Sequence, residues 1–128
     1  MNFQEKVRNA RIARGYSQDE LAERSGISRR TIQNYELGVR LPKKRETYKA
    51  LADALGIDES VLLDENVDFV LRANEQYGST AMKQALNLVE DVRALWAGGD
   101  MEEEDMDEIM RALQEAYMDV KAKKKEGK

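Results

Sequence analysis

The 128-residue chain contains no cysteine and no histidine. The first absence rules out a disulfide framework and thiol chemistry. The second removes the usual zinc ligand and the commonest general base. A single proline leaves most of the chain free to be helical. No apolar run approaches the roughly 20 residues that span a bilayer. The opening "MNFQEKVRNA" is charged where a signal peptide carries an apolar core. The expectation is a cytoplasmic protein with no membrane association, no catalytic residue, no metal and no cofactor; it is not read as an enzyme.

Charge is plentiful but uneven. Charged residues make up 36% of the chain and the net charge is −4. Residues 1–57 hold twelve Lys/Arg against seven Asp/Glu, whereas residues 58–128 hold nine against eighteen. Sign asymmetry between halves says more about partners than the total does. The first half suits a phosphate surface, and the second is repelled by one.

Helical patterns and their stops follow in close order. The first helix runs from about Phe3 to Arg14, with Phe3, Val7, Ala10, Ile12 and Ala13 facing inward, and Gly15 ends it. Ser17-x-x-Glu20 forms a capping box for a second helix that carries Leu21 and Ala22 and stops at Gly26. Ser28 caps a third helix from Arg29 to about Leu37, closed by Gly38, with Ile32 and Tyr35 inward. After the basic loop "VRLPKKR", a fourth helix covers about Glu46 to Leu55. It turns Tyr48, Leu51, Ala52 and Leu55 inward and stops at Gly56. "IDESVLLD" supplies a short fifth helix capped by Asp58. Five helices in residues 1–64 close one small core.

The third helix leaves Arg29, Arg30, Gln33 and Asn34 pointing outward near its start. These are base-reading side chains: arginine forks onto guanine, and glutamine or asparagine onto adenine. A recognition helix uses its N-terminal residues for this. Arg40, Lys43 and Lys44 in the neighbouring loop suit phosphate contacts, which position a protein without reading sequence.

The segment Val7–Leu63, through "RIARGYSQDELAERSGISRRTIQNYELGVRLP" and "LADALGIDESVLL", resembles the lambda-repressor/Cro-like, or XRE, helix-turn-helix family. The resemblance implies an all-α fold with a five-helix DNA-binding domain, in which helices two and three form the motif. It implies Ser28, Arg29, Arg30, Gln33 and Asn34 as the groove-facing set, a phosphate contact from Gln18, and an ion pair between Arg11 and Glu36.

Beyond residue 64 the texture changes. Residues 65–78 read either as linker or as helix extension. Residues 79–120 read as a helical hairpin broken at "GGD" (98–100). One stripe includes Met82, Leu86, Val89 and Trp96, and the other Met106, Ile109, Leu113 and Tyr117, at helical spacing. Residues 121–128 read as a frayed basic tail. "DMEEEDMDE" lacks the glycine an EF-hand needs and reads as an acidic helix start. Trp96 and Tyr117 read as core or interface rather than as a ligand pocket.

A hairpin cannot cover two apolar stripes with itself alone. A second copy completes a four-helix bundle, so these eight residues are expected to form a homodimer contact. The expected function is a sequence-specific regulator that binds double-stranded DNA as a dimer, acting as a repressor. The alternative is an antitoxin-like or adaptor module that uses the acidic C-terminal helices on a protein partner. The sequence leaves open whether a small-molecule effector binds.

Overall fold

Most helix starts in this chain are marked by side chains that accept backbone N–H groups. The computed structural model describes residues 1–126. In it, Asn2 and Glu5 close a capping box that opens α1 (Phe3–Ala13). Ser17 and Glu20 do the same for α2 (Gln18–Ser25). Ser28 accepts from Thr31 N at the head of α3 (Arg29–Glu36). Lys44 precedes α4 (Arg45–Leu55) without a side-chain cap, and Asp58 accepts from Ser60 N before α5 (Glu59–Leu62). Asp64 accepts from Val67 N at the start of α6 (Glu65–Tyr77). α7 (Ser79–Trp96) and α8 (Glu103–Glu126) complete the order. Among the described residues all regular structure is helical, and no helix is long and apolar enough to cross a membrane.

Contacts divide the chain after Val67, inside α6. In the first unit α1 packs on α3, α4 and α5, while α2 packs on α3 and α4. Phe3, Val7, Leu21, Ile32, Tyr35, Tyr48, Leu51, Ala52, Leu55 and Leu62 form its core. The Phe3 ring meets Tyr35 and Tyr48 edge-on, at centroid distances of 5.8 and 5.4 Å. The buried Tyr48 hydroxyl donates to Pro42 O at 2.7 Å, and burial raises its pKa. Five helices thus close one small core, as the spacing of their apolar residues and stops indicates. Lys6 closes the unit, donating to Asp64 Oδ2 at 2.8 Å and to Val61 O at 2.9 Å.

Two inward assignments on α1 do not hold. Ile12 is 54% exposed, and Ala13 is exposed as well. The inward line runs through Phe3 and Val7 to Ala10; Ile12, two positions beyond Ala10, points to nearly the opposite side, and Ala13 lies about a quarter turn off the line at the last residue of the helix.

The second unit contains most of α6, all of α7 and the described part of α8. Residues 65–77 are helix, which resolves the reading left open from sequence. One residue, Gly78, separates α6 from α7, at φ 92° and ψ −176°. α6 supplies what the hairpin lacked. Phe69 lies edge-on to Tyr117 at 5.5 Å, and Lys125 Nζ sits 5.7 Å from the Tyr77 ring centroid. The Tyr117 hydroxyl reaches Ala81 O at 3.2 Å and Gln84 Oε1 at 3.0 Å.

The two apolar stripes are therefore not both left for a second copy. Met82 and Val89 are buried within the single chain, and Leu86, Trp96, Met106 and Tyr117 are half-buried. Only Ile109 and Leu113 of the expected contact residues are exposed. The basic segment is not frayed through residue 126: α8 continues to Glu126. Lysine is a good helix former, and Lys123, Lys124 and Lys125 fall in the last turn, where the helix dipole favours cations. Residues 127 and 128 of the expected tail lie outside the described residues.

Candidate nucleic-acid interface

The turn between α2 and α3 is built by local chemistry. Gly26 caps α2 at φ 76° and donates to Ala22 O at 2.9 Å. A Cβ at Gly26 would meet no atom within 4 Å. The demand for glycine here comes from the left-handed backbone alone. Ser25 Oγ accepts from Ile27 N at 3.2 Å, and Ser28 then starts α3. Ile32 and Tyr35 anchor that helix in the core. Burial raises the Tyr35 phenol, with the nearby Arg40 charge pulling the other way.

The anchoring determines what α3 presents. Arg30, Gln33 and Asn34 lie on the side away from Ile32, the first two exposed and Asn34 half-buried. Arg29 lies on the flank beside α2, its Nε 3.2 Å from Asp19 Oδ1, with both side chains largely exposed. Ser28 commits its hydroxyl to the cap: it accepts from Thr31 N at 3.2 Å and donates to Thr31 Oγ1 at 2.8 Å. Ser28 thus shapes the helix start, with one lone pair left for a partner. Arg40, Lys43 and Lys44 are exposed in the loop that leads into α4.

Behind this surface lies a charged clamp. Arg11 Nε donates to Glu36 Oε2 at 2.8 Å, and Nη2 donates to Glu36 Oε1 at 2.9 Å. Arg11 Nη1 donates to Tyr16 O at 2.8 Å. The side chains of Arg11 and Glu36 are only 14% and 5% exposed. Donating to the Glu36 carboxylate raises the Arg11 pKa, desolvation opposes it, and the Glu36 charge adds to the rise. A fork-on-fork pair of this kind fixes orientation as well as supplying energy. It ties α1 to the end of α3. Gln18 joins it, Nε2 donating to Glu36 Oε1 at 3.3 Å. The side chain expected at a phosphate is therefore oriented by the clamp.

Sequence reasoning missed two participants. Asp19 holds Arg29 from the preceding helix, and Tyr16 supplies the third acceptor for Arg11 while Arg24 and Arg14 stand over its ring, 4.6 and 5.5 Å from the centroid. Each acts across a turn, and no short-range pattern marks it.

A helix-turn-helix family model matches residues 7–62. No curated protein and no solved structure matches the chain.

Proposed function

We propose, from the helix-turn-helix family match over residues 7–62, a sequence-specific DNA-binding repressor of the XRE type. The observation that carries this reading is the outward face of α3. Two arginines, a glutamine and an asparagine stand at the start of a helix whose opposite side is locked into the core. In the major groove this face offers two guanine forks and two adenine readers. Gln18, Arg40, Lys43 and Lys44 flank it and would grip phosphates on either side of the groove. Repression follows from occupancy: a protein seated over a promoter excludes polymerase or a competing factor.

Binding as a homodimer places two α3 helices one turn of DNA apart, about 34 Å, on a pseudo-palindromic site. The second unit supplies the contact, through its exposed apolar side chains rather than through Met82 or Val89. Its acidic character keeps it off the phosphates. The domain boundaries then divide by role: residues 1–64 bind DNA, residues 65–77 form α6 and lead through Gly78 to the next helix, and residues 79–120 associate.

Selection of bound sites from random duplex DNA tests this. A two-fold motif with bound affinity falling steeply as salt rises is the expected result. Recovery of no motif, with salt-insensitive association, overturns it.

A further inference from the structure

α8 carries two apolar lines, and the chain itself uses one. Met110 and Gln114 are buried, with Met106 and Tyr117 half-buried alongside. Ile109, Leu113 and Val120 remain 37%, 38% and 52% exposed, and Ala116 is exposed between them. At 3.6 residues per turn these four share one line, about a quarter turn from the buried one. Such a line of apolar side chains on an otherwise charged helix marks an association surface.

Two features of the same helix specify its occupant. The first is spacing. Ile109, Leu113, Ala116 and Val120 stand four, three and four positions apart, the alternation of a heptad seam. The series reads the same from either end. An antiparallel second copy, with its two-fold axis midway between Leu113 and Ala116, sets Ile109 against Val120 of that copy. It sets Leu113 against Ala116, so that a large side chain meets a small one at each central layer. The contact is self-complementary, as a two-fold interface must be.

The second feature is charge. Residues 102–108 carry six carboxylates and no cation, while Lys121, Lys123, Lys124 and Lys125 crowd the other end. A parallel pair would stack like charge on like at both ends. In the antiparallel register, Glu104, Asp105 and Glu108 come level with Lys125, Lys124 and Lys121 of the second copy. The two helix dipoles also oppose.

We propose that this face of α8 is the homodimer interface, with the two α8 helices paired antiparallel. The inference rests on the dimeric reading above and adds the face and its direction.

The absence of native cysteine allows a direct test. Ile109→Cys and Val120→Cys are made separately and treated with a short thiol crosslinker, first alone and then as an exchanged mixture. Ile109 and Val120 are about 16 Å apart along the helix at 1.5 Å per residue. Antiparallel pairing leaves each variant alone unlinked and links the mixture. Linkage of each variant alone means parallel pairing and overturns the proposal. By sedimentation, Leu113→Glu should raise the dimer dissociation constant about tenfold or more, with helix content by circular dichroism unchanged. Val120→Lys, at the rim of the seam, should do the same and serves if Leu113→Glu unfolds. A full chain that is monomeric at every concentration overturns the dimeric reading itself. A dimer indifferent to both substitutions overturns only the α8 face.

Discussion

At the residue scale, the Arg11–Glu36 clamp is the most sensitive point of the first unit. Both charges are largely out of water, and each has the other as its main compensation. Removing one strands its partner, so Glu36→Ala should cost about 3–5 kcal/mol of stability. Replacing both by apolar residues, as in Arg11→Met with Glu36→Leu, should cost much less. Thermal melts of the three proteins decide it, and small additive losses would refute the clamp. The exposed cations should behave differently because water already solvates them. Arg29→Ala or Arg30→Ala is expected to lose about 1–3 kcal/mol on the preferred site and to relax base preference there. Lys43→Ala should instead weaken every sequence alike and lower the salt slope by about 1. Binding titrations at several salt concentrations separate the two behaviours. Asp58 adds a pH effect. The Ser60 hydroxyl and backbone N–H hold its carboxyl below the usual carboxylate range. The cap's contribution is thus complete above that range and is lost as pH falls through the lowered value. Urea midpoints measured between pH 5 and pH 3 should fall less for Asp58→Asn than for the unmodified chain.

At the element scale, glycine sets two of the joints. Gly78 is the only residue between α6 and α7, and its φ of 92° with ψ near 180° is a conformation essentially confined to glycine. Gly78→Ala should destabilise by about 1–3 kcal/mol, read from the urea midpoint. No atom lies within 4 Å of the added methyl, so the loss would report backbone strain rather than a clash. Gly26→Ala meets the same open space at φ 76°, where a left-handed L-residue costs about 1–2 kcal/mol. Its stability loss should leave the selected DNA motif unchanged, since no base-reading side chain is altered. The long α8 owes its length to end charges of the right sign: Glu103, Glu104 and Asp105 in the first turn, and lysines in the last.

At the scale of the whole molecule, the division after Val67 falls near the change from net basic to net acidic sequence. The first unit has its own aromatic and aliphatic core and its own closing bonds at Lys6. Residues 1–67 are therefore expected to stay helical alone, to sediment as a monomer and to bind a half-site weakly. Most of the affinity for a two-fold site should disappear with the second unit, because the second contact is no longer held at high effective concentration. A fragment that matches the full chain on that site would remove any role for dimerisation in recognition.

Much of this protein is determined locally and was legible in the sequence. Ser17, Ser28 and Asp58 satisfy the N–H groups at their helix starts, and glycines stop the helices, using atoms within a few positions of one another; the equally local cap at Asn2 went unread. The outward set on α3 follows from Ile32 and Tyr35 facing in, which is a matter of helical period. Helix boundaries in the first unit shifted by only a residue, as at α4, which begins at Arg45 rather than Glu46, whereas α8 runs six residues past the expected end at 120. What lay beyond the sequence is non-local. Asp19 reaches Arg29 across a turn, and Gln18 joins the Arg11–Glu36 clamp from α2 only once α1 and α3 are packed. The largest difference is in α8, where two apolar lines lie a quarter turn apart and periodicity alone ranks neither. The structure turns Met110 and Gln114 inward and leaves Ile109, Leu113 and Val120 outside. That choice is made by Phe69 on α6 and by Ala81 and Gln84 on α7, which hold Tyr117. A helix's own spacing says which residues share a face, but only the neighbours it packs against decide which face is buried.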